Sequence, residues 1–205
     1  MRTAYDRVAR TYDLLEWPIE FGFFRFLRSA LWARVSALPG AILELGVGTG
    51  RNFAHHPNRT VYAVDISPEM LRRARPRRRS LTRLGLLDAE RLALADGCTD
   101  IVVGTFVFCS VPEPVHGLGE LRRILRPAGR LFLLEHVRLE WQPASSLMRA
   151  VNPLVRRLTG VNIDRDTEEN VRRGGFRVVT VRRYLGGLFK RIEAVPDLEG
   201  HVRAA

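Results

Sequence analysis

Three glycines at alternate positions follow an acid in Glu44-Leu45-Gly46-Val47-Gly48-Thr49-Gly50, and an arginine and an asparagine, Arg51 and Asn52, come next. Glycine lets the backbone turn tightly and lets a ligand approach the main chain where a Cβ would stand in the way. The spacing narrows the ligand. A dinucleotide fingerprint needs Gly-x-Gly-x-x-Gly, and counting from Gly46 its last position is Arg51. A phosphate loop needs Gly-x-x-x-x-Gly-Lys-Ser/Thr, which is absent too. The acid ahead of the loop suits a ligand with a cationic amino-acid end and no phosphates.

The flanking segments say what must position this loop. The apolar run Ala41 to Leu45 reads as a buried strand, and Arg51 to His56 as the start of the helix after it. Strand, glycine turn and helix form the first unit of a nucleotide-binding α/β sheet. Thr60 to Ile66 is a second apolar strand ending in Asp65. Ligands of such sheets sit at the carboxyl ends of the strands, where Asp65 is placed to accept hydrogen bonds from ribose hydroxyls. Ser67, Pro68 and Glu69 open a helix as N-cap, first-turn proline and dipole-favoured acid. A third strand, Leu84 to Leu87, exits through Asp88-Ala89-Glu90. Ile101 to Cys109 is the fourth. Glu113 to Arg126 reads as a helix with Leu118, Leu121, Ile124 and Leu125 on one face. The turn Leu125-Arg126-Pro127-Ala128-Gly129 leads to a fifth strand, Leu131 to Leu134. That strand ends in the polar pair Glu135-His136, where substrate chemistry usually sits. Phe176 to Tyr184 and Phe189 to Val195 form an antiparallel hairpin around Gly186-Gly187.

From Tyr5 to Val195 the ordered motifs resemble the class I S-adenosylmethionine-dependent methyltransferases, of the phospholipid and quinone-biosynthesis type. They are Glu-x-Gly-x-Gly-x-Gly, Val64-Asp65-Ile66-Ser67-Pro68-Glu69-Met70, Asp88-Ala89-Glu90 and Leu125-Arg126-Pro127-Ala128-Gly129. S-adenosylmethionine carries a sulfonium, an ammonium, a ribose and an adenine. The resemblance implies a cofactor site of Glu44, Gly46, Gly48, Gly50 and Asn52 on the loop, Asp65 at the ribose, and Ile66 and Met70 flanking the adenine. Asp88 would meet the adenine amino group and the Ala89 N–H a ring nitrogen. Phe106, Phe108 and Ser110 would face the methyl group. Tyr5-Asp6-x-x-Ala9-x-x-Tyr12-Asp13 is similar to a segment that folds over the cofactor in these families, which brings Tyr5 and Tyr12 to the site. Cys98-Thr99 and Ala128 depart mildly from the family pattern.

The implied fold is a doubly wound, Rossmann-like seven-stranded sheet with the last strand antiparallel, in one domain, 1–205. Residues 1–38 would form an N-terminal helical lid and 138–173 a substrate-lid insertion. The implied reaction moves the sulfonium methyl to a nucleophile. Because sulfonium is already activated, positioning and desolvation carry most of the catalysis, and a base matters only for a protonated acceptor. His136, Glu135 and Tyr12 are the candidate bases. The acceptor is small or amphiphilic: first the amine of phosphatidylethanolamine, alternatively a quinone ring carbon or a small thiol. A reading from another class is a basic nucleic-acid-binding protein on the same fold.

Composition bears on these alternatives. The net charge is +11, with 33 Lys+Arg against 22 Asp+Glu, nearly all of it arginine, and it favours polyanionic partners: nucleic acid or an anionic membrane. No run of about 18 apolar residues predicts a membrane span, and Met1 to Arg10 lacks a signal-like apolar core. A cytoplasmic protein is expected, with peripheral contact at the inner membrane face. Cys98 and Cys109 suggest neither a disulfide scaffold nor a zinc site, and no metal is expected. Ile19 to Val35 interleaves aromatics with Arg25, Arg28 and Arg34. It fits a core-facing helix or an interfacial membrane helix. Arg72 to Arg83 holds seven arginines, but Pro76 interrupts it and no aromatic is interleaved for base stacking, so a solvated helix end is expected. The Asn/Asp-Pro-Pro-aromatic motif of amino-methylating nucleic-acid enzymes is absent, and no nucleic-acid partner is expected.

Overall fold

Residues buried on both faces make the centre of the sheet. In the computed structural model, which describes residues 20–139, 141–159 and 162–198, β1 is Ile42–Leu45, and all four of its residues are buried. The other strands are β2 (Val61–Asp65), β3 (Thr82–Leu86), β4 (Thr99–Thr105), β5 (Leu125–His136), β6 (Phe176–Tyr184) and β7 (Phe189–Pro196). Their order is β3-β2-β1-β4-β5-β7-β6, with β1 to β5 parallel and β7 antiparallel to both its neighbours. The expected doubly wound seven-stranded sheet with the last strand reversed is the one observed. The strand order reverses between β1 and β4, which is where such sheets bind ligands.

Side-chain alternation divides the core. Ile42, Val61, Ile101, Val103, Phe132 and Leu134 face helix α1 (Arg25–Ser36), which buries Leu27, Leu31, Trp32 and Val35 on them. Leu43, Leu45, Val102, Leu131 and Leu133 pack on the opposite face against Leu118, Leu121 and Ile124 of α3 (Pro114–Ile124) and Val171 of α5 (Thr167–Arg173). Helix α2 (Pro68–Ala74) begins as its sequence predicts: the Ser67 hydroxyl accepts from the Met70 N–H at 3.1 Å, and Pro68 is its first residue. Helix α4 (Ala144–Thr159) follows β5. For the aromatic segment Ile19 to Val35, the burial of α1 supports the core-facing reading.

Four expectations are corrected. No α-helix follows β1: Arg51 to His56 make turns and a short 3-10 segment, Phe53–His55, ahead of Pro57, a residue that cannot continue a helix. Strand β3 begins at Thr82, two residues early. Strand β4 stops at Thr105, not Cys109, because Phe106 has φ 59° and turns the chain out of the sheet. Strand β5 starts at Leu125, not Leu131. Leu125 pairs with Thr99 and Arg130 with Ile101, so a two-residue step on β4 faces a five-residue step on β5. The expected helix-to-strand turn survives as an excursion inside the strand.

The arginine run 72–83 is largely engaged with its own surroundings. Arg72 and Arg73 pair with Glu69 at 2.8 and 3.0 Å, Arg77 donates to the Thr49 carbonyl at 2.8 Å and Arg79 to the His56 carbonyl at 2.6 Å. Arg77 therefore braces the glycine loop, a use that charge counting alone does not reveal.

Candidate functional site

An open cleft of about 850 Å³ lies at the carboxyl ends of β1, β2 and β4. The glycine loop forms its floor. Gly46 has φ 66°, and a Cβ there would stand 2.5 Å from the Val107 side chain. Gly48 has φ 53°, yet a Cβ there would meet nothing within 4 Å: it faces open space, leaving bare backbone for a ligand. Gly50 does not line the cleft; it packs against Phe53 and Ala74.

Asp65 stands at the cleft wall. Its carboxylate accepts from the Gly48 N–H at 2.8 Å and the Ser67 N–H at 2.9 Å, which ties loop, strand and helix α2 together. Burial pushes its pKa upward against these backbone donors. Ile66, Met70 and Leu87 give the cleft apolar lining, and Asp88, Ala89, Phe106 and Ser110 line it as well. The Asp88 carboxylate accepts from the Glu90 N–H at 3.0 Å, which orients it.

Other candidates do not line the cleft. Side-chain parity puts Glu44 on the α1 face of β1, buried under that helix. Its Oε1 accepts from Asn52 Nδ2 at 2.6 Å, and its Oε2 lies 2.8 Å from His56 Nε2. In a neutral His56 that nitrogen donates, leaving Nδ1 to accept from the Thr82 hydroxyl 3.1 Å away. Asn52 is buried as well and also donates to Thr105 Oγ1 at 2.8 Å. Both residues support the loop from behind. Phe108 points into the core, because its N–H and that of Val107 bind Glu135 Oε1 at 3.1 and 2.9 Å. Tyr5 and Tyr12 lie outside the described residues.

Glu135 is thus completely buried, holding the exit of β4 in place, and does not line the cleft. Burial raises its pKa to about 7 from an ordinary value near 4.5, with the backbone donors opposing the shift. The folded state therefore holds a proton that the unfolded chain releases between those values. Stability should fall as pH rises through that window, by about 3 kcal/mol at most for this group. Glu135→Gln keeps an acceptor for both N–H groups and should flatten that slope. Urea unfolding of both proteins across the window measures it, and equal slopes would refute the assignment. Cys109, beside it, is buried with its thiol pushed up to about 12, so it is no nucleophile.

His136 projects from the other face of β5, toward α1. Its ring is 5.4 Å from that of Phe189, burial lowers its pKa, and its buried Nδ1 has no partner among the described residues. Phe189 also meets Phe24 at 5.2 Å and Phe106 at 6.0 Å. Phe106 belongs both to this aromatic wall and to the cleft. Its left-handed backbone is the strain of a non-glycine residue held for position.

Arg28 was not singled out from the sequence as a site residue. It leaves α1 into the cleft, donates to Asn52 Oδ1 and Thr105 Oγ1 at 3.0 Å each, and lies 5.2 Å from the Phe106 ring centroid. A signal existed: Arg28 falls on the stripe Phe24, Leu31, Val35, where a solvated arginine would not be placed.

Bare loop backbone, an acid at the end of β2, apolar lining and a following acid fit a nucleoside joined to an amino acid. The comparisons agree. Residues 43–133 match the methyltransferase domain model. A demethylmenaquinone methyltransferase of Beutenbergia cavernae is 36% identical over 146 residues, covering 70% of this chain and 60% of the relative. A phosphatidylethanolamine N-methyltransferase of Cereibacter sphaeroides is 32% identical over 156 residues, covering 71% and 76%. A crystal structure of an S-adenosylmethionine-dependent methyltransferase from Thermotoga maritima, described as a possible histamine N-methyltransferase, superposes with a TM-score of 0.73 at 23% identity, covering 96% of this chain and all of that one. This chain belongs to the class I S-adenosylmethionine-dependent methyltransferases of the phospholipid and quinone-biosynthesis type. Its cofactor is S-adenosylmethionine.

Proposed function

We propose that this protein methylates the amine of phosphatidylethanolamine, or of a closely similar amphiphile, at an anionic membrane face. When bound, the cofactor supplies an activated methyl group. Asp65 binds the ribose and Asp88 with the Ala89 N–H the adenine, while Ile66 and Met70 hold the ring between them. Arg28 takes the carboxylate of the amino-acid end, the part Glu44 does not reach. The aromatic wall of Phe24, Phe106 and Phe189 carries the choice of acceptor. Nitrogen gains positive charge as it is methylated, and ring faces stabilise a cation. A thiolate loses its charge in the same step and gains nothing from them. A relative named as a phosphatidylethanolamine N-methyltransferase supports this reading.

An amine reaches the site protonated and must lose a proton first. Burial keeps the His136 ring neutral at pH 7, able to accept one. His136→Asn should lower kcat at least about tenfold, within the usual range for a general base, and leave S-adenosylhomocysteine binding intact. The wild-type rate should rise with pH through a pKa below the ordinary histidine value. An unchanged kcat would remove His136 from the mechanism.

The aromatic wall also suits a flat quinol ring, and a demethylmenaquinone methyltransferase is among the relatives. Full-length protein with methyl-labelled S-adenosylmethionine, offered phosphatidylethanolamine vesicles, demethylmenaquinol or an alkyl thiol, decides between them. Methylated lipid amine is expected. Label in the quinol alone would replace the first reading with the second.

A further inference from the structure

Helix α4 turns its apolar side to solvent. Leu147, Val151 and Leu154, spaced four and three residues apart, share one face and are 64%, 39% and 61% exposed, and Trp141 just before the helix is 68% exposed. The helix contains no acid, and Arg149 and Arg157 on it are exposed. A second cavity, of about 600 Å³, opens beside its N-terminal half. Arg138, Arg149, Arg165 and Lys190 line it against the single carboxylate of Asp166. Some of that charge is met: Arg138 is 3.4 Å from Asp164, and Lys190 is 3.1 Å from Glu168. Arg149 has no acid partner among the described residues. Ser145 also lines the cavity, only 4% exposed, and its hydroxyl has no hydrogen-bond partner among the described residues.

We propose that helix α4 and this cavity form a docking surface for an anionic phospholipid bilayer, separate from the cofactor cleft. The apolar stripe enters the interfacial region, and the exposed Arg149 and Arg157, on other sides of the same helix, reach the phosphates of the headgroup layer. Both halves of the surface point to one occupant. Nucleic acid would satisfy the arginines and leave Trp141, Leu147 and Leu154 in water. A second copy would bring two acid-free helices of a +11 chain together. A bilayer offers an apolar interior beneath a layer of phosphates. The surface differs from the aromatic helix expected from the sequence: α1 buries Leu27, Leu31, Trp32 and Val35 and leaves Phe26 exposed. The inference rests on the membrane part of the proposed function and not on which acceptor is methylated.

Flotation of the full-length protein with phosphatidylglycerol-rich vesicles and with phosphatidylcholine vesicles tests it. Flotation with the first and not the second is expected. The double variant Leu147→Glu/Leu154→Glu and the single variant Arg149→Glu should each weaken vesicle binding at least about tenfold. Phe26→Glu should leave it unchanged. All three should bind S-adenosylhomocysteine as the parent does in calorimetry, which shows them folded and separates failure of this inference from failure of the methyltransferase reading. Brominated acyl chains should quench tryptophan emission, and Trp141→Phe should remove most of that quenching. Unaltered flotation of the double variant would overturn the proposal. So would loss of flotation in Phe26→Glu, or an ultracentrifuge result in which the double variant merely dissolves a dimer.

Discussion

Asp65→Ala is expected to weaken S-adenosylhomocysteine binding about a hundredfold. Each oxygen of the carboxylate already accepts one backbone N–H, from Gly48 or Ser67, and keeps a lone pair for a ribose hydroxyl. Hydrogen bonds to a charged group contribute about 1.5–3 kcal/mol each, and about 2.7 kcal/mol is a factor of a hundred. Losing two ribose contacts would suffice, and the Gly48 backbone would also lose its anchor. Asp65→Asn keeps the shape and one acceptor, and should cost about tenfold. Acidification should act in the same direction. Because burial raises the Asp65 pKa, the carboxylate protonates sooner than an ordinary aspartate as pH falls, and affinity should decline with it. Calorimetric titration measures all three effects. Affinity within about threefold of the parent for Asp65→Ala, well under one hydrogen bond's contribution, would sink the ribose assignment.

Glu44→Ala is expected to act on stability first. The substitution leaves His56 Nε2 without its acceptor in a buried site and takes from Asn52 Nδ2 one of its two acceptors, the other being Thr105 Oγ1. Leaving a buried donor unsatisfied costs about 1–3 kcal/mol. For a domain stable by about 5–15 kcal/mol that is a large share. A urea midpoint shifted down by this amount is the expected result. If Glu44 served the ligand instead, the variant would keep its midpoint and lose only binding, and that outcome would refute the network's role.

Much of the lining of the candidate cofactor cleft was legible from the chain. The alternate glycines, Asp65 at a strand end, the Ser67 cap, Met70, Asp88 and Ala89 follow one another at short range, and all except Gly50 and the cap line the cleft. Local rules placed them: strands end where apolar runs end, and turns need glycine. Glu44 and Asn52 belong to the same motif yet lie behind the loop. Whether a strand residue reaches a ligand depends on its parity and on what covers that face, and α1 covers this one. Glu135 and His136 show the same effect at the end of β5. Adjacent in sequence, they point to opposite faces, one into the β4 exit and the other into the aromatic wall.

The amphipathic helices were harder to assign. The segment ahead of β1 and the one after β5 both interleave apolar residues with arginine, and periodicity cannot tell which meets the sheet. The structure buries α1, drawing Arg28 to the cleft, and leaves the α4 stripe in solvent. From its own residues the chain determined the sheet, the glycine loop and the class of cofactor, because those depend on neighbours within a few positions. Tertiary structure decided which polar groups support the site and which line it, and which apolar face stays exposed, because each of those depends on an element far away in sequence that packs over it.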